Sequence, residues 1–136
     1  LGQVSSYPGD DLQEKIRNFV IYAYTNWGTT YLLLGGDDEI IPHRGFYDMV
    51  NEGYPGYEEV DYDIQADLYY GGLDGNWNTD GDDKWGEPEE DDLLAEVIVG
   101  RAAVDSPTDA ENFIRKVISY EENPVVAGHP IYPLRN

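Results

Sequence analysis

The chain has 136 residues, with 28 Asp and Glu against 8 Lys and Arg, a formal charge of −20. A field of that sign repels nucleic acid and anionic membrane surfaces and attracts cations, which excludes nucleic-acid binding. Twelve tyrosines, three tryptophans and 40% hydrophobic residues suit a single domain with a real core. There is no cysteine, so this chain contributes no disulfide, thiolate metal site or cysteine nucleophile. No apolar run approaches the ~18 residues of a membrane span.

Residues 1–9 form a polar lead-in, and the start at Leu1 without methionine leads us to expect a segment of a longer protein. From Asp10 to Trp27 the apolar residues Leu12, Ile16, Phe19, Val20, Ala23 and Trp27 recur at helical spacing. Asp10 or Asp11 caps this helix, Gln13 or Glu14 supports the cap, and Gly28 ends it. Tyr31 to Leu34 is a short continuous apolar run, which predicts a strand buried on both faces in a parallel sheet. Asp37, Asp38 and Glu39 follow at its carboxyl end, where ligand sites of open α/β sheets lie. The stretch GGDDEIIP is not a dinucleotide fingerprint, and three carboxylates beside a phosphate argue against nucleotide.

Residues 45–65 hold Tyr47, Tyr54, Tyr57 and Tyr62 among acidic residues. A sugar-binding aromatic surface is one reading. The other, which we favour because no strand or helix spacing aligns the rings, is an ordered loop packed on the domain. His43 has no cysteine and no evident serine partner, and is read as a loop hydrogen-bonder rather than a base.

The stretch that organises the chain is Asp67 to Glu87, a short strand-like run leading into a loop crowded with oxygen side chains. Asn76, Asn78, Asp80, Gly81 and Glu87 fall at positions 1, 3, 5, 6 and 12 of a calcium-loop spacing. In a second register Asp74, Asn76, Asn78, Asp80 and Asp82 form an alternating ladder. Calcium takes six to eight oxygens, and many oxygens on a flexible loop favour it, with magnesium as the open alternative; a glycine in the middle allows the sharp turn. The candidate metal ligands are therefore Asp74, Asn76, Asn78, Asp80, Asp82 and Glu87, with no flanking helix pair of the EF-hand kind. The alternative is a solvated acidic turn without metal, since Asp, Asn and Gly are also the ordinary turn residues. Metal-dependent hydrolysis by the loop itself is disfavoured, because such calcium loops are coordinatively filled and only Lys84 lies near in sequence.

Glu87 to Asp92 reads as an acidic linker, and Ala95 to Arg101 as a second buried strand. Ser106, Pro107 and Asp109 mark a helix start of capping-box type. Ala110, Phe113, Ile114, Val117 and Ile118 give that helix its apolar face, and Asn123-Pro124 stops it. The order of elements predicts an α/β layered domain over 1–124, with 125–136 as a linker.

Three segments together resemble one family: YLLLGGDDEIIPHR, ADLYYGGLDGNWNTDGDDKWGE and AEVIVGRAAVDSPTDAENFIRKVISYE. They are similar, over about residues 30 to 122, to the amino-terminal half of gingipain-type cysteine peptidases, peptidase family C25. The resemblance implies a caspase-like α/β sandwich subdomain, with a short, mainly parallel sheet flanked by helices. It further implies that the catalytic His-Gly and Cys lie in a second subdomain of the same polypeptide, that peptide or protein is the substrate, and that the protein is secreted and binds structural calcium. His129 precedes Pro130 rather than glycine, so no catalytic role is carried onto it. The expectation is a non-catalytic, calcium-stabilised subdomain of a secreted cysteine endopeptidase, with no catalytic residue in this chain and neither nucleic-acid nor membrane partners. The alternative is a calcium-stabilised extracellular binding or adhesion module without peptidase activity.

Overall fold

A computed structural model describes residues 2–51 and 58–124; Leu1, Tyr54, Tyr57 and the tail 125–136 with His129 lie outside the described residues. After a 3-10 turn at Val4–Ser6, the order is α1 (Leu12–Trp27), β1 (Tyr31–Gly35), β2 (Arg44–Asn51), β3 (Glu58–Ala66), a 3-10 turn (Asp67–Tyr70), β4 (Ile98–Ala102) and α2 (Pro107–Glu122). The described residues fall into two compact units, one ending at Ala103 and the other beginning at Val104. The chain is thus an α/β protein in which a parallel strand pair and an antiparallel pair are combined with helices.

The α1 helix begins where its cap fixes it. Asp11 Oδ1 accepts the Glu14 N–H at 2.8 Å, and Glu14 Oε2 accepts the Asp10 N–H at 2.7 Å, satisfying two donors of the first turn. Gly28, with φ 68°, closes the other end in the left-handed conformation that favours glycine. Ile16, Val20 and Ala23 face inward, while Trp27, expected on that face, is 63% exposed and rests edge-on against Phe19 and Tyr22.

β1 and β4 pair in parallel, from Tyr31 opposite Ile98 to Gly35 opposite Ala102. The expected burial on both faces is not what the strands show. Leu34 is buried and Leu32 and Val99 partly so, but Tyr31, Leu33 and Ile98 are exposed. A strand alternates its side chains between faces, and the core cluster of Ile16, Val20, Leu34, Tyr69, Tyr70, Trp77 and Val97 lies against only one of them. The second strand also begins at Ile98 rather than Ala95.

Two further expectations are corrected. The tyrosine-rich stretch is an antiparallel hairpin rather than a loop: Arg44 pairs with Ala66, Phe46 with Ile64 and Met49 with Val60. Val60, Tyr62 and Ile64 alternate with Asp61, Asp63 and Gln65 along β3, so the strand period was present. A register shift between Phe46 and Asp48 interrupts it on β2. The run at Asp67–Tyr70, expected to be strand-like, is a 3-10 turn that sinks Tyr69 and Tyr70 into the core.

In the second unit, Ser106 caps α2 by accepting the Asp109 N–H at 3.2 Å, with Pro107 in the first turn. Asn123 follows the last turn, as the sequence predicts. The stripe of Ile114, Val117 and Ile118 is exposed, since a single helix has no second layer of its own to bury it.

Candidate metal centre in the acidic loop

The loop between the 3-10 turn and β4 is fastened to the core by two tryptophans. Trp77 is 1% exposed, stacks on Phe46 with ring centres 4.6 Å apart, and donates its indole N–H to Gly72 O at 3.2 Å. Trp85 holds the Arg44 guanidinium 3.8 Å from its ring and meets Tyr69 edge-on. Its carbonyl accepts the Tyr47 N–H at 2.8 Å, which ties the loop to β2. Arg17, projecting from α1, donates to Tyr69 O, Gly72 O and Gly75 O at 2.8–3.2 Å. Burial lowers its affinity for the proton, and Tyr69, Asp92, Glu96 and Asp74 act against that.

Between these anchors the ladder of oxygen side chains organises its own backbone. Asn76 Oδ1 accepts the Asn78 N–H at 3.3 Å, Asp80 Oδ1 accepts the Asp82 N–H at 3.1 Å, and Asp82 Oδ1 accepts the Lys84 N–H at 2.6 Å. These are turns in which an Asx side chain bonds the backbone two residues on, so the alternate spacing has a local structural cause. Asn78 Oδ1 accepts from Gly81 N at 2.9 Å, and Gly81 takes φ 75°, as the sharp mid-loop turn requires.

The candidate ligands separate into distinct places. Asp80 and Glu87 meet Glu90, their carboxylate oxygens lying within 4.8 Å of one another. Asp74 meets Asp92 and Glu96 in a second group of the same dimensions, and those two neighbours raise its pKa, Glu96 most. Asn76 and Asn78 line a cavity of about 470 Å3 together with Asp10, Asp11 and Glu14 of the α1 start. Asp82 lies 3.5 Å from Lys84 Nζ, which also bonds Glu87 at 3.2 Å.

Glu90, Asp92 and Glu96 were not among the sequence candidates. Glu90 is brought in by a turn in which its N–H bonds Glu87 O at 2.9 Å. Pro88 and Glu89 are the turn's central residues, with φ 79° at Glu89, and a proline at that second position was the available signal. Glu90 Oε1 accepts the N–H groups of Thr79 at 2.8 Å and Asp80 at 3.2 Å. Its other oxygen, Oε2, is shut off from solvent and meets no donor among the described residues. A buried carboxylate oxygen without a donor is costly. The residues present fit a hard, oxygen-seeking cation.

A second concave region lies at the carboxyl ends of β1 and β4, a cavity of about 500 Å3 lined by Asp37, Asp38, His43, Gln65, Asp67 and Arg101 among others. Arg101 spans its floor, pairing with both Asp67 oxygens at 2.6 and 2.8 Å and donating to Gly36 O, Asp37 O and Ile41 O. The bond to Asp67 raises its pKa, against the opposing effect of burial.

The frame is that of an α/β domain carrying a glycine-turned acidic loop. The sequence matches peptidase family C25 over residues 2–129, nearly its whole length, and the chain belongs to that family. Among curated proteins nothing matches, and among solved structures nothing matches.

Proposed function

We propose that this chain is a supporting, non-catalytic part of a secreted C25 cysteine peptidase, stabilised by calcium at its acidic loop. The observation that carries the reading is the family match over 2–129 in a chain with no cysteine. A cysteine peptidase needs a thiolate to attack the scissile carbonyl and a base to receive its proton. The thiolate then comes from polypeptide outside these 136 residues, and the substrate is peptide or protein.

Calcium held by Asp80, Glu87 and Glu90 would offset most of the charge of the three carboxylates and supply a partner for Glu90 Oε2. Its role there is structural: it would pin the turn at 87–90 to the loop at 79–82. The test has two arms. Purified chain, assayed with peptide substrates under reducing conditions, is expected to cleave none; thiol-dependent cleavage intrinsic to the chain refutes the non-catalytic assignment. Thermal melts with millimolar calcium, with magnesium and with chelator address the metal. A ligand at a hundred times its dissociation constant stabilises by about 2.7 kcal/mol, which raises the midpoint by several degrees. Equal midpoints in calcium and chelator refute the calcium assignment and leave the family membership untouched.

A further inference from the structure

The acidic loop does not account for His43. Its ring joins the segment that follows β1 to strand β3: Nδ1 contacts Asp38 Oδ1, and Nε2 lies 2.9 Å from Asp63 Oδ1. The side chain is only 14% exposed, against 54% for Asp38 and 77% for Asp63. An ionised carboxylate only accepts hydrogen bonds, and a neutral imidazole has one N–H. Both contacts can be hydrogen bonds together only when both ring nitrogens carry protons. The site is also built for this arrangement. A Cβ at residue 45 would overlap the Asp63 carboxylate, so Gly45 leaves the space in which Asp63 reaches the ring. Asp61 Oδ1 accepts the Asp63 N–H at 2.9 Å and fixes the turn of the backbone there.

We propose that His43 is a proton-operated clasp that holds β3 against the segment 36–43 at the rim of the cavity at the carboxyl ends of β1 and β4. The segment is a fixed platform. Arg101 binds the carbonyls of Gly36, Asp37 and Ile41, the Tyr70 hydroxyl donates to Pro42 O, and Gln13 of α1 donates to His43 O at 3.2 Å. Asp38 Oδ1 also accepts the backbone N–H of His43 at 2.8 Å, so it keeps a donor whatever the ring does. Among the described residues Asp63 has no such second hold on the platform. A neutral ring has one N–H for two carboxylates; with that N–H kept on the shorter contact, to Asp38, the side-chain tie to β3 is the one lost while the ladder to β2 remains.

The charges around the ring fit this. Asp38 and Asp63 raise the pKa of His43 against the opposing effect of its burial, which is the largest single influence. The other charged groups near the ring are Asp37 on its own segment, Asp67 and Arg101 across the cavity, which pair with each other, and Arg44, which is turned to Asp11 of α1 at 2.9 Å. With the folded pKa above the unfolded value, the clasp's contribution is complete below the ordinary histidine range. It is lost as pH rises through the folded pKa.

Nitrogen-15 NMR of the His43 ring in the purified chain tests the clasp, with amide hydrogen exchange along β3 read across the same pH range. Both ring nitrogens are expected to carry protons below a folded pKa that lies above the ordinary histidine value. Exchange at Ile64 and Gln65, corrected for the intrinsic base-catalysed rate, is expected to rise about tenfold as the ring titrates, the loss of one charge-assisted hydrogen bond. Asp63→Asn, whose amide bonds the ring in either state, should lower the His43 pKa and abolish the exchange step. Gly45→Ala should do the same with both titrating groups in place. A His43 pKa at or below the ordinary histidine value, a titration without an exchange step, or a step that survives Asp63→Asn overturns the proposal.

Discussion

Trp77 is the residue on which the acidic loop's attachment depends, and its removal has a calculable cost. The indole is 1% exposed, stacks on Phe46 at 4.6 Å and lies 6.3 Å from the Tyr69 ring. Trp77→Ala deletes one of the largest buried side chains and leaves a cavity that the loop cannot fill, a loss of about 4 kcal/mol. Trp77→Phe should cost about half of that. It keeps a ring against Phe46, and Gly72 O, which loses the indole N–H, still accepts from Arg17 at 2.8 Å. No acceptor is orphaned in the phenylalanine variant, so only the volume term remains. Urea unfolding followed by far-ultraviolet circular dichroism gives both values; tryptophan fluorescence would lose its own reporter. Small domains are stable by about 5–15 kcal/mol in total, so the alanine variant should shift the midpoint strongly with an unchanged slope. An alanine cost below about 1 kcal/mol, well under the range for buried tryptophan, would refute the reasoning and make the loop an appendage rather than a wall of the core.

Arg101→Met should destabilise by about 3 kcal/mol, because it strands Asp67 and three carbonyls, and Arg101→Lys should recover little since an ammonium cannot reproduce the fork; both are read by urea unfolding. Glu89→Gly should stabilise by about 1 kcal/mol, as glycine takes the left-handed conformation at φ 79° without strain; an unchanged or lower melting midpoint contradicts this. Glu90→Gln should abolish the calcium-dependent part of the melting midpoint while leaving the fold intact by circular dichroism, and a calcium response equal to that of the parent chain removes Glu90 from the site.

Much of this architecture is written in local signals. The caps at Asp11 and Ser106 and the stop at Gly28 follow from residues within a few positions of each other, and each strand of the parallel pair from its own short apolar run. The hairpin was hidden because its two strands speak unequally. β3 alternates cleanly, whereas β2 carries Gly45 and a register shift after Phe46. The candidate metal site was half legible. Asp80, Gly81 and Glu87 are visible in the calcium-loop spacing, but the same spacing also generates Asx turns, and Asn76, Asp80 and Asp82 are engaged in those. Glu90 belongs to Asp80 only through the turn at 87–90, and Asp92 reaches Asp74 only because Gly75 leaves room for it: a Cβ there would lie 2.5 Å from the Asp92 Cβ. Neither proximity has a sequence period.

The distribution of the few cations separates the two carboxylate groups. Three arginines are drawn inward: Arg17 to backbone carbonyls, Arg44 between Tyr69 and Trp85 beside Asp11, and Arg101 to Asp67. Arg17 attracts Asp92, Glu96 and Asp74 from its half-buried position. In that group Glu96 also accepts the Leu73 N–H at 2.6 Å and Asp92 the Gly75 N–H at 3.2 Å. The group therefore has backbone donors of its own. At Asp80, Glu87 and Glu90 the nearby cation is Lys84, which reaches Glu87 and Asp82 from the surface, while Glu90 Oε2 has no donor among the described residues. The proposed calcium is therefore assigned to Asp80, Glu87 and Glu90 on the ground of that oxygen without a donor, whereas Asp92 and Glu96 already accept backbone N–H groups.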